Sequence, residues 1–114
     1  MSKYNNRKVI VDGIEFDSLA ESYRYQELKM SEAAGEIYDL KIHQRWELQP
    51  AFKHGGKMVR AIYYEDDFNY IDRTDKKRHV EDVKGLETEV FKIKHKMFLN
   101  RYPDVVFEIV KVGR

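Results

Sequence analysis

The sequence predicts an α+β fold in which a mixed β-sheet is flanked by two helices. Three observations predict it. A capped, helix-forming stretch runs from Ser18 to about Ala34, and a second runs from Glu87 to about Tyr102. Around and between them lie short runs of β-branched and aromatic residues, punctuated by Asp-Gly, Gly-Gly and Pro. The expected order is roughly ββ-α-ββββ-α-β.

Each element has a local reason. Val9-Ile10-Val11 and Ile14-Glu15-Phe16 read as short strands joined by the turn signal Asp12-Gly13. Ser18-Leu19-Ala20-Glu21 is a capping box, in which a serine caps the helix and a glutamate three residues on reaches back. Leu19, Tyr23 and Met30 recur at helical spacing, and Gly35 is the natural stop. Ile37–Ile42 and Trp46–Leu48 read as strands, the second ended by Pro50. His54-Gly55-Gly56-Lys57 is a turn, not a phosphate loop, because no Gly-Lys-Ser/Thr follows. Val59–Ile71 reads as one long strand or two, Asp72–Arg78 as a polar hairpin loop, and His79–Lys84 as a strand ending at Gly85. Val90, Phe91, Met97 and Phe98 give the second helix an apolar face, Pro103 breaks it, and Val105–Val112 is a last strand.

The chain has 114 residues, 42% hydrophobic and 13% aromatic, enough for one packed core. Residues 1–7 read as a flexible N-terminal arm and residues 8–114 as a single domain. Net charge is only +1, so bulk positive charge is not what would draw this chain to nucleic acid. A local basic patch balanced by a carboxylate cluster remains compatible with that total. With no cysteine there is no disulfide, thiolate zinc site or cysteine nucleophile. No apolar run approaches the length of a membrane span, and Met1–Arg7 lacks the apolar stretch of a signal peptide. The expectation is a cytoplasmic protein that does not engage a membrane.

The chemistry concentrates between Tyr64 and Gly85. On a strand, side chains alternate between faces, so Asp82 and Lys84 share one face while Glu81 and Val83 take the other. If the two runs pair as a hairpin, Asp67 comes close to Asp82. Two carboxylates can hold a hard cation such as Mg²⁺ or Mn²⁺ against a phosphodiester, and a lysine beside them can position the attacking water. Asp is a poor strand former, so an Asp67 inside an aromatic run asks for a function. The bland reading is a cross-strand charge pair on a wet face. Glu21 already has a role in the capping box, and Glu81 is expected to be solvated or salt-bridged. Lys92, Lys94 and Lys96 on the second helix, and Arg73 and Lys77 in the hairpin loop, are either solvated charge runs or phosphate-binding patches. His43, His54, His79 and His95 show no metal-ligand spacing and read as structural or surface residues. Trp46, Tyr63, Phe68 and Tyr70 read as core.

Asp67, a loop, and then Asp82-Val83-Lys84 resembles the signature of the PD-(D/E)XK nuclease superfamily, whose core is a mixed sheet with flanking helices. The proline that often precedes the first aspartate is missing. More narrowly, Phe16–Glu21, Gln49–Phe52, Val59–Tyr64, Asp67-Phe68, Val80–Gly85 and Glu89–Pro103 resemble a family of small uncharacterised phage and prophage proteins related to Holliday-junction-resolvase-like endonucleases. The resemblance implies that Asp67, Asp82 and Lys84 are catalytic, that Glu21 joins Asp67 and Asp82 as a metal ligand, and that the cofactor is Mg²⁺ or Mn²⁺. It further implies a homodimeric DNA endonuclease acting on branched or structured DNA in phage replication or recombination, in the bacterial host cytoplasm. The rival expectations are a non-catalytic nucleic-acid-binding module and a phage interaction protein on the same scaffold.

Overall fold

Pairing begins before the first helix. In the computed structural model, which describes residues 8–112, β1 (Val9–Val11) and β2 (Ile14–Phe16) form an antiparallel hairpin. The expected arm, residues 1–7, lies outside the described residues. Helix α1 (Leu19–Ala33) starts at Ser18, whose Oγ accepts from the backbone N–H of Glu21 at 3.2 Å. Only this half of the expected capping box forms, because the Glu21 carboxylate points elsewhere. Gly35, at φ +79°, ends the helix in the left-handed conformation, and Gly35 and Glu36 return N–H bonds to Glu32 and Ser31.

Seven strands, not four, separate the helices: β3 (Ile37–Ile42), β4 (Arg45–Gln49), β5 (Phe52–His54), β6 (Lys57–Val59), β7 (Ile62–Glu65), β8 (Phe68–Asp72) and β9 (Arg78–Lys84). The expected Val59–Ile71 strand is thus divided twice. The second division is a bend. β3 pairs antiparallel with β8 as far as Ile42 opposite Phe68, and pairing resumes between β4 and β7 with Arg45 opposite Glu65. One long ribbon therefore turns a corner at residues 43–44 and 66–67. Asp66 pins that corner: its carboxylate accepts from Gln44 N–H at 2.9 Å, Trp46 Nε1 at 2.8 Å and Asn69 Nδ2 at 2.7 Å.

Helix α2 (Glu89–Arg101), capped by Thr88 Oγ1 accepting from Phe91 N–H, connects β9 to β10 (Val106–Lys111), which lies parallel to β9. The central sheet has the order β10-β9-β8-β3 and is mixed, as the sequence predicts. Each helix covers a core of its own. Phe16, Tyr25, Leu28, Ile37, Phe68 and Tyr70 pack with α1. Leu48, Tyr64, Val80, Phe91 and Phe98 pack with α2. Trp46, Phe68 and Tyr70 thus take the packing roles read from the sequence, while Tyr63 is exposed. Burying each such aromatic is worth about 1.5–3 kcal/mol. No helix among the described residues is long and apolar enough to cross a membrane.

Candidate functional site

The corner of the ribbon, the end of β9 and the start of α1 meet around an open cleft of about 410 Å³. Its wall includes Glu21 from α1, His43, Asp66 and Asp67 from the corner, and Asp82 and Lys84 from β9. Lys8, Glu15 and Asp17 stand at the rim, where Lys8 pairs with Asp17 at 3.1 Å. Carboxylates far outnumber lysines here, so the cleft favours cations.

Strand geometry places these groups as expected. Asp82 and Lys84 share a face, with Lys84 Nζ 3.3 Å from Asp82 Oδ1. That ammonium also sits 4.5 Å above the Phe91 ring of α2. Tyr64 donates its hydroxyl to Asp82 Oδ2 at 2.5 Å. Burial, and next Asp82 itself, push the Tyr64 pKa up, so the phenol keeps its proton and remains a donor. Asp67 reaches across the hairpin: its Oδ2 accepts from the backbone N–H of Val83 at 2.6 Å, and its own N–H donates to Glu81 O at 3.2 Å. Its pKa is pushed up to about 7, first by burial and then by Glu21.

Glu21 completes the set. It is 8% exposed and its pKa is likewise pushed up to about 7 by burial, then by Asp17 and Asp82. Among the described residues, Glu21 Oε1 and Asp82 Oδ1 are buried and accept no hydrogen bond. Lys84 is near the second of these but not in hydrogen-bonding geometry. Orphaned buried carboxylate oxygens are costly unless a cation or a proton offsets them. The Lys84 ammonium offsets Asp82 Oδ1, so Glu21 Oε1, among the carboxylates of this cleft, is the oxygen that asks for a cation, as in a divalent-cation site.

One residue on this wall, His43, was expected to be a structural or surface residue. His43 Nε2 lies 3.8 Å from Glu21 Oε1, and one ligand atom from each of Glu21, His43 and Asp67 lies within 4.8 Å of the other two. His43 takes φ +56°, a left-handed conformation uncommon outside glycine, at the corner of the ribbon. Sequence spacing misses it because its neighbours come from other elements. The nearest sequence signal was the trio Glu65-Asp66-Asp67, which marks the other half of the same corner.

The basic candidates do not join the cleft. Lys92 pairs with Glu89 at 3.4 Å, and Lys92 and Lys96 are exposed on α2. Lys94 is half-buried on the same helix and does not line the cleft. Arg73 stacks over Tyr38 at 4.5 Å and Lys77 is exposed, both beyond the far end of β8, roughly 16 Å of strand from Asp67. Glu81 faces away from Asp82, as alternation requires, and of its two expected states it takes the salt-bridged one, fully buried. Arg24 Nε and Nη2 each donate to it at 2.7 Å, and Tyr70 Oη donates at 2.5 Å. His79 is held between Asp75 and Glu108 at 2.8 and 2.7 Å, and His95 stacks on Phe91, so the structural reading stands for those two histidines.

Residues 1–113 match the family model described as "Protein of unknown function (DUF1064)", and the chain belongs to that family. No curated protein and no solved structure is significantly similar to it.

Proposed function

We propose that this member of the DUF1064 family is a metal-dependent phosphodiesterase of the PD-(D/E)XK kind, a DNA endonuclease acting on branched or structured DNA in phage replication or recombination. One observation carries the reading: Glu21, Asp67, Asp82 and Lys84, from three elements, line one cleft in which buried oxygens of Glu21 and Asp82 accept no hydrogen bond and Lys84 stands beside Asp82. Glu21, Asp67 and Asp82 would hold Mg²⁺ or Mn²⁺, with His43 beside them. When bound, such an ion supplies Lewis acidity toward phosphorus and lowers the pKa of its water.

The chain's own groups do the rest. Lys84 projects into the cleft from the Asp82 face, where its ammonium positions the attacking water and a phosphate oxygen. Tyr64 fixes the Asp82 carboxylate from behind, and Val83 N–H fixes that of Asp67. The open cleft admits an extended polymer strand more readily than a small molecule. Symmetric cutting of two strands favours a homodimer, and the proposed setting is the host cytoplasm. A non-catalytic nucleic-acid-binding module would have no use for these buried carboxylates beside a lysine.

Labelled duplex, single-stranded, flap and four-way-junction DNA, incubated with protein in Mn²⁺ or in EDTA, test this. Cutting that needs Mn²⁺ and is abolished by Asp82→Ala is expected, and the preferred substrate names the task. If neither protein cuts any of the four while both shift DNA equally, catalysis is refuted and the binding module stands.

A further inference from the structure

The hairpin β5–β6 leaves the body of the protein. Every residue from Ala51 to Arg60 is exposed, and β5 and β6 pair only with each other. Neither strand packs extensively against a helix or another sheet. A two-stranded hairpin alone in water is marginal, and exposure on both faces leaves nothing to support it. Register puts Phe52, Val59, His54 and Lys57 on one face and Lys53 and Met58 on the other. Phe52, Met58 and Val59 are all exposed.

The charge of this segment is one-sided. Lys53, Lys57 and Arg60 are joined by His54, and no Asp or Glu occurs from Leu48 to Tyr64. In a chain of net charge +1, the remainder is therefore net acidic. None of the three cations forms an ion pair among the described residues, whereas nine of the other fifteen described arginines and lysines do. The arm is also tied to the cleft. It joins β4 to β7, the ribbon that runs straight into the corner holding His43, Asp66 and Asp67.

We propose that the β5–β6 hairpin is an arm that grips the nucleic-acid backbone, with Lys53, Lys57 and Arg60 on phosphates and Phe52 and Met58 against sugars and base edges. Unpaired cations on a projecting ribbon with exposed apolar side chains fit a groove lined by phosphates. An acidic protein partner would fit the cations, but the arm's place on the ribbon that leads into the cleft favours the polymer the cleft acts on. The partner class rests on the function proposed above, whereas the arm itself rests on its own geometry and charge.

Fluorescence anisotropy of labelled duplex and four-way-junction DNA, in EDTA and across a salt series, tests the arm without cleavage. The variant is Lys53→Gln/Lys57→Gln/Arg60→Gln, with Lys53→Glu/Lys57→Glu as a second. Thermal melts should match wild type, because these side chains touch no core. At 0.1 M salt the first variant should bind at least tenfold more weakly. Its slope of log affinity against log salt should fall by two to three, about 0.9 for each phosphate that is no longer neutralised. Mn²⁺ binding, followed by calorimetry, should be unchanged. Wild-type affinity and slope in both variants would overturn the arm while leaving the cleft reading intact. So would an altered sedimentation coefficient with DNA affinity unchanged, which would make the hairpin a contact between copies. Absence of Mn²⁺ binding by wild type would instead sink the cleft reading, with the arm still judged by the DNA data.

Discussion

Tyr64 donates to one oxygen of Asp82 at 2.5 Å, and Lys84 stands 3.3 Å from the other. The aspartate is thereby turned so that its Oδ1 belongs to the cleft, beside the Lys84 ammonium. Tyr64 is itself buried against Phe98 and Phe107, so it cannot swing away. Tyr64→Phe keeps the ring and removes only the donor. Metal affinity should drop roughly 10–100-fold, as when a group that orients a ligand is removed. Isothermal titration with Mn²⁺ reads this, and an unchanged dissociation constant would refute the orienting role.

His43 contributes a nitrogen to a set that is otherwise carboxylate. Imidazole suits transition-metal ions better than Mg²⁺, which prefers oxygen throughout. His43→Asn should therefore weaken Mn²⁺ binding by at least about tenfold and leave Mg²⁺ binding nearly unchanged. Equal losses for both ions would mean that His43 only shapes the corner, a reading its φ of +56° also allows.

Part of this site was legible in the chain and part was not, for a physical reason. Asp82 and Lys84 are two apart on one strand, and the two-residue period of a strand is a local property that any sequence displays. Asp67 follows from a hairpin whose polar loop is equally local. Glu21 could be placed only by resemblance, since the capping box gave its side chain another task that the fold declines. His43 depends on the bend in the β3–β4 and β7–β8 ribbon. That bend is fixed by Asp66 bonding to Gln44, Trp46 and Asn69, hydrogen bonds that span up to 22 residues. The same bend, and the β5–β6 arm, are why one long strand or two were expected over Val59–Ile71 where parts of three strands lie. Charge runs mislead most readily: Arg73 and Lys77 look like a patch beside the site in sequence, yet they sit at the opposite end of β8.

Glu21 and Asp67 both have pKa values pushed up to about 7, burial being the largest cause for each. Unfolded, they titrate at 4.5 and 3.8, so between those values and about 7 the folded metal-free chain binds more protons than the unfolded one. Their contribution to stability is full at low pH and is lost as pH rises through 7. Melting temperature without metal should accordingly fall from pH 5 to pH 8. His79, also raised, acts with the same sign, burial opposing Glu108 and Asp75. A Glu21→Gln/Asp67→Asn double variant should remove most of the slope and leave the part due to His79. Because the ligands must be ionised, Mn²⁺ affinity should rise over the same interval and restore the melting temperature at pH 8. A metal-free melting temperature that is flat or rising with pH would count against this ionisation scheme.

Behind the cleft, Arg24 and Tyr70 hold a Glu81 that water does not reach. Glu81 is the immediate neighbour of Asp82 but on the opposite face, and it ties α1 to β9, the two elements that supply Glu21 and Asp82. Arg24→Met retains the apolar stem and removes the charge, stranding a buried carboxylate. Breaking one side of such a pair costs about 3–5 kcal/mol, and the partial exposure of Arg24 places the expected loss toward the lower end. Arg24→Met/Glu81→Leu removes both charges and should recover most of that loss. Urea denaturation of the three proteins reads the difference directly. If Arg24→Met falls within 1 kcal/mol of wild type, roughly the size of an exposed pair, the link between α1 and β9 is not electrostatic and must be sought in the Phe16–Tyr25–Phe68 packing.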